Sequence, residues 1–266
     1  MKKRISLVLS MCLLVFSLAG CNKSQGSDEV NNDQVKESVI TVAAAASLKN
    51  CMDEKLIPMF EEKYPSIKVQ GTYDSSGKLQ TQIEEGAEID VFMSAAMKQM
   101  NALNEKGLIA ENSIVELLEN KIVLVVPKDN NKDIKTFEDV LKSDKIAIGD
   151  PESVPAGQYA KEVFENIKIW DKVSEKASLG TNVTEVLTWV AEASADAGVV
   201  YSTDATSNDK VEVVATAPEG SVSKVIYPVG IVKATNEEDA AKKFVEFLAS
   251  DEAVKVFESY GFAENK

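Results

Sequence analysis

The chain has 266 residues, of which 44% are hydrophobic and 27% charged, and a formal net charge of −14. That is enough apolar material for more than one core, on a surface that repels nucleic acid and anionic lipid, either of which would need a basic footprint. There is no His, and the only Arg is Arg4, which weighs against a zinc or manganese site built on imidazoles and against a carboxylate clamp built on a bidentate guanidinium.

The first residues, Met1-Lys2-Lys3-Arg4, lead into an apolar run from Ile5 to Phe16 and then Leu18-Ala19-Gly20 directly before Cys21. This order predicts a bacterial lipoprotein signal over residues 1–20, since the run falls short of the roughly 20 residues that cross a bilayer. The expected mature chain begins at a lipidated Cys21. Acyl chains there, at about 0.8 kcal/mol per buried methylene, would tether it to the membrane on the extracytoplasmic side. Removing Lys2, Lys3 and Arg4 takes the formal charge from −14 to −17. Residues 21–37 are polar and read as a flexible linker. With Cys12 in the signal and Cys21 acylated, Cys51 stands alone, so no internal disulfide is expected and Cys51 reads as a small core hydrophobe.

From residue 38 onward strands and helices alternate. Val39 to Val42 is a β-branched strand, followed by Ala43 to Ala46, Ser47, and Leu48, Cys51, Met52, Leu56, Met59 and Phe60 at helical spacing. Ile67 to Tyr73 predicts a second strand, Ser75-Ser76-Gly77 a turn, and Leu79 to Glu84 a helix closed by Gly86. Asp90 to Met93 predicts a third strand and Met97 to Lys106 a helix ended by Gly107. A second set starts at Ile122 to Pro127 and continues with a helix over 137–141, strand 146–148, a helix over 156–167, a helix from Val183 to Val190, strand 197–201 and strand 211–214. Val225 to Val232 leads to two final helices, 237–248 and 251–260, whose apolar faces should pack on the first set. Alternating strands and helices predict parallel sheets with covered faces. The expected domains are lobe I, residues 38–121 with 227–266, and lobe II, residues 122–226.

In open α/β sheets ligands bind beyond the carboxyl ends of the strands, where helix N-termini offer unpaired N–H groups. Ser47, Ser75-Ser76-Gly77, Pro155-Ala156-Gly157 and Asn182-Val183 stand at such entries, two in each lobe. Converging, they would cradle an anion with N–H and hydroxyl donors alone. Each hydrogen bond to an ionised acceptor contributes roughly 1.5–3 kcal/mol against desolvation. From the pattern alone a Ser before a helix is more often an N-cap of its own helix, and a Tyr like Tyr201 at a strand end more often a half-buried packing residue with a wet hydroxyl. Asp90, Asp150 and Asp204 read as caps or as a cation site, without the dense spacing of a calcium loop. No nucleophile has a base beside it in sequence, and neither a Gly-x-Ser-x-Gly elbow nor a phosphate loop occurs.

The segments Val42-Ala43-Ala44-Ala45-Ala46-Ser47-Leu48, Ser76 to Ala87, Asp90-Val91-Phe92-Met93-Ser94-Ala95, Gly149-Asp150-Pro151-Glu152-Ser153-Val154-Pro155-Ala156-Gly157 and Gly198-Val199-Val200-Tyr201-Ser202-Thr203-Asp204-Ala205, with Tyr227-Pro228-Val229 and Tyr260-Gly261-Phe262, resemble the periplasmic molybdate-binding protein family. The similarity runs from about residue 39 to the end, and the Gly-Asp-Pro-x-x-x-Pro-Ala-Gly segment is its most specific part. The resemblance implies an α/β, two-lobed type II periplasmic-binding-protein fold that closes over molybdate or tungstate in the interlobe cleft. It implies ligand contacts from Ser47 and Ser76 (hydroxyl and N–H), Ala156 and Val183 (N–H) and Tyr201 (hydroxyl), with no catalytic residue, no cation site and no cofactor. An ABC permease and its ATPase would be the partners of a monomeric, membrane-tethered receptor. The chain departs from the family pattern at Asp74, at Gly77 where some members have a further Ser, and at Glu88-Ile89. Competing readings are a receptor for sulfate or phosphate, a lipid-anchored enzyme, and an adhesin on the same fold.

Overall fold

The structure, a computed structural model, describes residues 37–266 except Asn131. The signal over 1–20, the acylation of Cys21 and nearly all of the linker lie outside the described residues. Among those described, no helix is long and apolar enough to cross a membrane.

The first strand, β1 (Ser38–Ala45), turns through a short 3-10 segment (Ala46–Leu48) into one helical stretch. That stretch comprises α1 (Lys49–Cys51), a π turn (Met52–Leu56) and α2 (Ile57–Lys63). Next come β2 (Ile67–Asp74), α3 (Ser76–Glu84), β3 (Val91–Met93), α4 (Met97–Glu105) and β4 (Val115–Asn120). Lys121 alone separates β4 from β5 (Ile122–Pro127). There follow a 3-10 segment (Glu138–Lys142), β6 (Ile146–Gly149), α5 (Pro155–Asn166), α6 (Trp170–Ser174), β7 (Ala177–Gly180), α7 (Val183–Ala191), β8 (Ala197–Tyr201), α8 (Ser202–Thr206) and β9 (Val211–Thr216). The chain ends with β10 (Val225–Ile231), α9 (Glu238–Leu248), α10 (Asp251–Ser259) and β11 (Ala263–Glu264).

Two sheets result, in the orders β11-β4-β10-β3-β1-β2 and β7-β6-β8-β5-β9. Within each, the strands followed by crossover helices are parallel: β1 with β2 and β3, and β6 with β7 and β8. The parallel pairing expected of strands alternating with helices holds for these, and the two crossing strands add antiparallel pairs. β10 runs antiparallel to β3 and β4, and β5 antiparallel to β8 and β9. A strand that enters from the other sheet arrives at the opposite end from one delivered by a crossover helix, so it pairs head to tail. β10 also begins two residues before the expected return at 227, so Val225 and Ile226 are paired with β4, in the first sheet. The helix expected at 137–141 is a 3-10 segment (Glu138–Lys142).

Burial follows the two-residue period of the strands. On β1, Val42 and Ala44 belong to the large core that continues under both sheets, whereas Ala43 faces Leu79, Ile83, Met100 and Leu103 of α3 and α4 on the opposite side. β3 divides the same way, with Val91 and Met93 on one face and Phe92 on the other. The apolar stripe of α9 packs against the first helical stretch, where Phe60 meets Phe244 edge-on at 4.9 Å and Phe247 at 5.5 Å between ring centroids. In the second lobe α5 approaches the end of β6 so closely that any Cβ on Gly157 would overlap the Gly149 carbonyl. Glycine is therefore required where that helix starts.

Candidate functional site

The candidate residues all lie just past, or at, the carboxyl ends of parallel strands. β1 ends at Ala45 and is followed by Ser47, and β2 ends at Asp74, one residue ahead of Ser75 and Ser76. In the second sheet β6 leads through residues 150–154 to Pro155 and Ala156, β7 leads to Asn182 and Val183, and β8 ends on Tyr201. Because β1 and β2 are parallel, as are β6, β7 and β8, each sheet sends its turns out on one edge.

Each helix entry commits some of its donors and leaves others. At α7, Asn182 caps the helix, its Oδ1 accepting the Glu185 N–H at 3.0 Å, while Glu185 Oε2 accepts the Thr181 N–H at 2.7 Å. The Val183 N–H, in the first turn, has no intrahelical acceptor. At α5, Val154 O accepts the N–H groups of Gly157 and Gln158. Pro155 has no N–H, so Ala156 supplies the first free donor. At α3 the cap reading of Ser75 is corrected: it occupies the N-cap but makes no capping bond with its side chain. Its Oγ is buried without a hydrogen-bond partner among the described residues. Ser76 Oγ accepts the Ala95 N–H at 3.0 Å, so its own proton remains to be donated. The three aspartates are structural. Asp90 Oδ2 accepts from Thr41 N–H, Asp150 Oδ1 from Glu152 N–H, and Asp204 Oδ2 from Tyr201 N–H.

Two points of contact bring the lobes together at these entries. The Gly77 N–H donates to the Ser153 carbonyl at 3.0 Å, joining the α3 entry to the residues ahead of α5. A Cβ at position 77 would collide with that carbonyl, so the approach depends on glycine. Gln99 Nε2 donates to Gln158 Oε1 at 3.2 Å nearby. On the other side α7 packs against the Ala46–Leu48 turn, and the Tyr201 ring stands edge-on to Tyr227 at 5.5 Å and to Tyr159 at 6.5 Å. Tyr227 Oη lies 3.0 Å from Ser47 Oγ. Ser47 and Tyr201 thus meet through Tyr227, and Ser76 and Ala156 through the Gly77–Ser153 contact. A recess of about 550 Å³ opens beside Ser47, with Asn50, Thr184, Thr203 and Asp204 in its wall; the other four candidates lie outside its lining.

The Tyr201 hydroxyl is the most telling group. The residue is 1% exposed, and its Oη has no hydrogen-bond partner among the described residues, an arrangement that costs about 1–3 kcal/mol unless something accepts its proton. Burial pushes its phenol, and that of Tyr227, well above the ordinary range, so both keep their protons. Burial likewise raises the Asp204 carboxyl from 3.8 to about 7, with the Tyr201 N–H bond acting in the opposite direction. Cys51 is buried, donates to Leu48 O and has its thiol raised to about 12 by burial, as suits a core residue. Among the described residues no three His, Cys, Asp or Glu side chains gather to hold a metal ion. Chemically the assembly offers neutral donors from N–H groups and hydroxyls. Neither Asn120 nor Tyr227 carries a local sequence signal for a role at the site.

Residues 40–263 match the family described as bacterial extracellular solute-binding proteins. The chain belongs to that family. Solute-binding proteins carry cargo without transforming it, so the protein is not an enzyme. YvgL of Bacillus subtilis, named as an ABC transporter substrate-binding lipoprotein, is 42% identical over 262 residues, 98% of this chain and 99% of that one. The molybdate-binding protein ModA of Haemophilus influenzae is 38% identical over 229 residues, 84% and 89% of the two chains. A solved structure from Clostridium difficile, named as the substrate binding domain of a molybdenum ABC transporter, superposes with a TM-score of 0.66 at 39% identity, covering 86% of this chain and all of that one. The protein is therefore a ModA-like, extracytoplasmic substrate-binding component of an ABC transporter, whose partners are a permease and an ATPase.

Proposed function

We propose that this solute-binding protein captures molybdate, and tungstate with it, and delivers it to its importer. The observation that carries the reading is the buried, unpartnered Tyr201 hydroxyl at the carboxyl edge of the second sheet, a donor set aside in a site whose other donors are neutral. In this reading Ser47 and Ser76 of one lobe, and Ala156, Val183 and Tyr201 of the other, surround a tetrahedral dianion. Their hydrogen bonds, at about 1.5–3 kcal/mol each, replace its hydration without a cationic side chain, which suits a protein of net charge −14. The likeness to a molybdate-binding protein across most of both chains supports the ligand. Sulfate has the same shape and charge and is smaller, so cavity size would separate the two.

The lobes of this proposal are residues 38–121 with 225–266, and residues 122–224. Because the anion touches both, it binds the closed arrangement better and shifts the population towards it. The signal over 1–20 and a lipid on Cys21 complete the proposal, placing a monomeric receptor at the membrane surface. The name of the Bacillus subtilis relative supports that part. Isothermal titration with molybdate, tungstate, sulfate and phosphate tests the ligand. Tight binding of the first two with little heat from the others is expected; binding of sulfate or phosphate alone would overturn the assignment.

A further inference from the structure

A chain of hydrogen bonds runs from Asn120 through Tyr227 to Ser47. Asn120 closes β4 at the crossing between the lobes, and its amide orientation is set by its neighbours: Oδ1 accepts the Lys121 N–H at 2.8 Å and the Ser202 hydroxyl at 3.0 Å. A backbone N–H must meet oxygen, so the other end of the amide is Nδ2, a donor only. It lies 2.9 Å from Thr203 Oγ1 and 3.4 Å from Tyr227 Oη. Tyr227 is 0% exposed, so no water competes for its hydroxyl. Having accepted from Asn120, Tyr227 has one proton to place; Ser47 Oγ at 3.0 Å can accept it, as can the neighbouring Tyr201 phenol.

We infer that Asn120 and Tyr227 are positioning residues that fix the Ser47 hydroxyl as a donor to the bound anion, in the order Asn120 amide to Tyr227 phenol to Ser47 hydroxyl to ligand oxygen. The inference rests on the proposed place of Ser47 in the binding site. It deepens that proposal, because a Ser47 whose acceptor capacity is taken up by Tyr227 favours a fully deprotonated oxyanion over one that must donate a proton of its own. It also gives the crossing between the lobes a part in the site, since Asn120 is held by Ser202 and Thr203 of the second lobe while Tyr227 and Ser47 belong to the first.

The test is a double-mutant cycle with molybdate as the probe, read by titration on the full protein. Ser47→Ala is expected to weaken binding at least about tenfold. Tyr227→Phe, which keeps the ring and its packing, is expected to weaken it about threefold or more by releasing the Ser47 rotor. The double variant should bind no more weakly than Ser47→Ala alone, because without the Ser47 hydroxyl there is nothing for Tyr227 to orient. Independent, multiplying losses would overturn the relay while leaving Ser47 a ligand, and so would unchanged binding by Tyr227→Phe. Unchanged binding by Ser47→Ala would overturn the site assignment itself. A neutron structure of the deuterated protein reads the same direction without a ligand: the Tyr227 deuteron should lie towards Ser47 Oγ, and a deuteron pointing elsewhere would overturn the inference.

Discussion

Tyr201 ends β8 with its ring between Tyr159 and Tyr227 and its hydroxyl cut off from solvent. Replacing it by Phe keeps the ring and removes one donor. The proposed site then predicts a loss of about 1.5–3 kcal/mol in molybdate affinity, with the unfolding midpoint of the ligand-free protein unchanged or raised, because the orphaned hydroxyl is gone. Titration and thermal melts check both halves. Asp204, three residues on, makes a prediction about pH. Its folded pKa, raised from 3.8 to about 7 by burial, means the folded state holds the proton more tightly than the unfolded chain. This stabilisation is complete below about pH 4 and is lost as pH rises to 7, to a limit of about 4 kcal/mol. Asp204→Asn, whose Oδ1 can still accept the Tyr201 N–H, should melt at a higher temperature than the parent at pH 8 and show a flatter profile between pH 4 and 7. A parallel pH dependence in the two proteins would contradict this. Cys51 was legible as a core residue from its lone position on a helix face. The roles of Asn120 and Tyr227 were not, since they rest on contacts that no local pattern records: Tyr227 lies 180 residues from Ser47 and 107 from Asn120.

At the scale of elements, the helix entries were legible because each is announced locally, by Ser, Pro-Ala-Gly or Asn ahead of an amphipathic run. β4, β7 and β11 were not. Val115–Asn120 carries Glu116 and Glu119 and lacks clean alternation, and Ala177–Gly180 is four residues long. Both are strands by virtue of their neighbours, β4 between β11 and β10, and β7 at the edge beside β6. The antiparallel sense of β5 and β10 follows from where the chain crosses, which hydropathy does not encode. Gly77, a departure from the family pattern in sequence, proves to be where the α3 entry meets Ser153 of the other lobe. Gly77→Ala puts a methyl group into that carbonyl and should weaken molybdate binding by about 1–3 kcal/mol, the usual cost of overpacking. The melting of the ligand-free protein should change little, because lobes that swing apart relieve the clash. Unchanged affinity would show that the bound form does not use this approach.

For the whole molecule, the two sheets are joined at Lys121 and between Thr216 and Val225, and two such crossings make a hinge. Cargo that touches both lobes should therefore compact the protein: small-angle scattering should give a smaller radius of gyration with molybdate than without, and no change would argue against closure on the ligand. Fold class was legible as a whole because strands and helices alternate along the chain, and the family match over residues 40–263 agrees with it. The proposed cargo rests on resemblance, since neutral donors at helix entries serve any tetrahedral dianion.

The most direct test of the central claim is a crystal structure grown with molybdate, with data collected at the molybdenum absorption edge. One strong anomalous peak is expected between the lobes, with the oxygens of its anion within hydrogen-bond reach of Ser47, Ser76, Ala156, Val183 and Tyr201. A peak elsewhere on the protein, or none in crystals saturated with the anion, would contradict the claim.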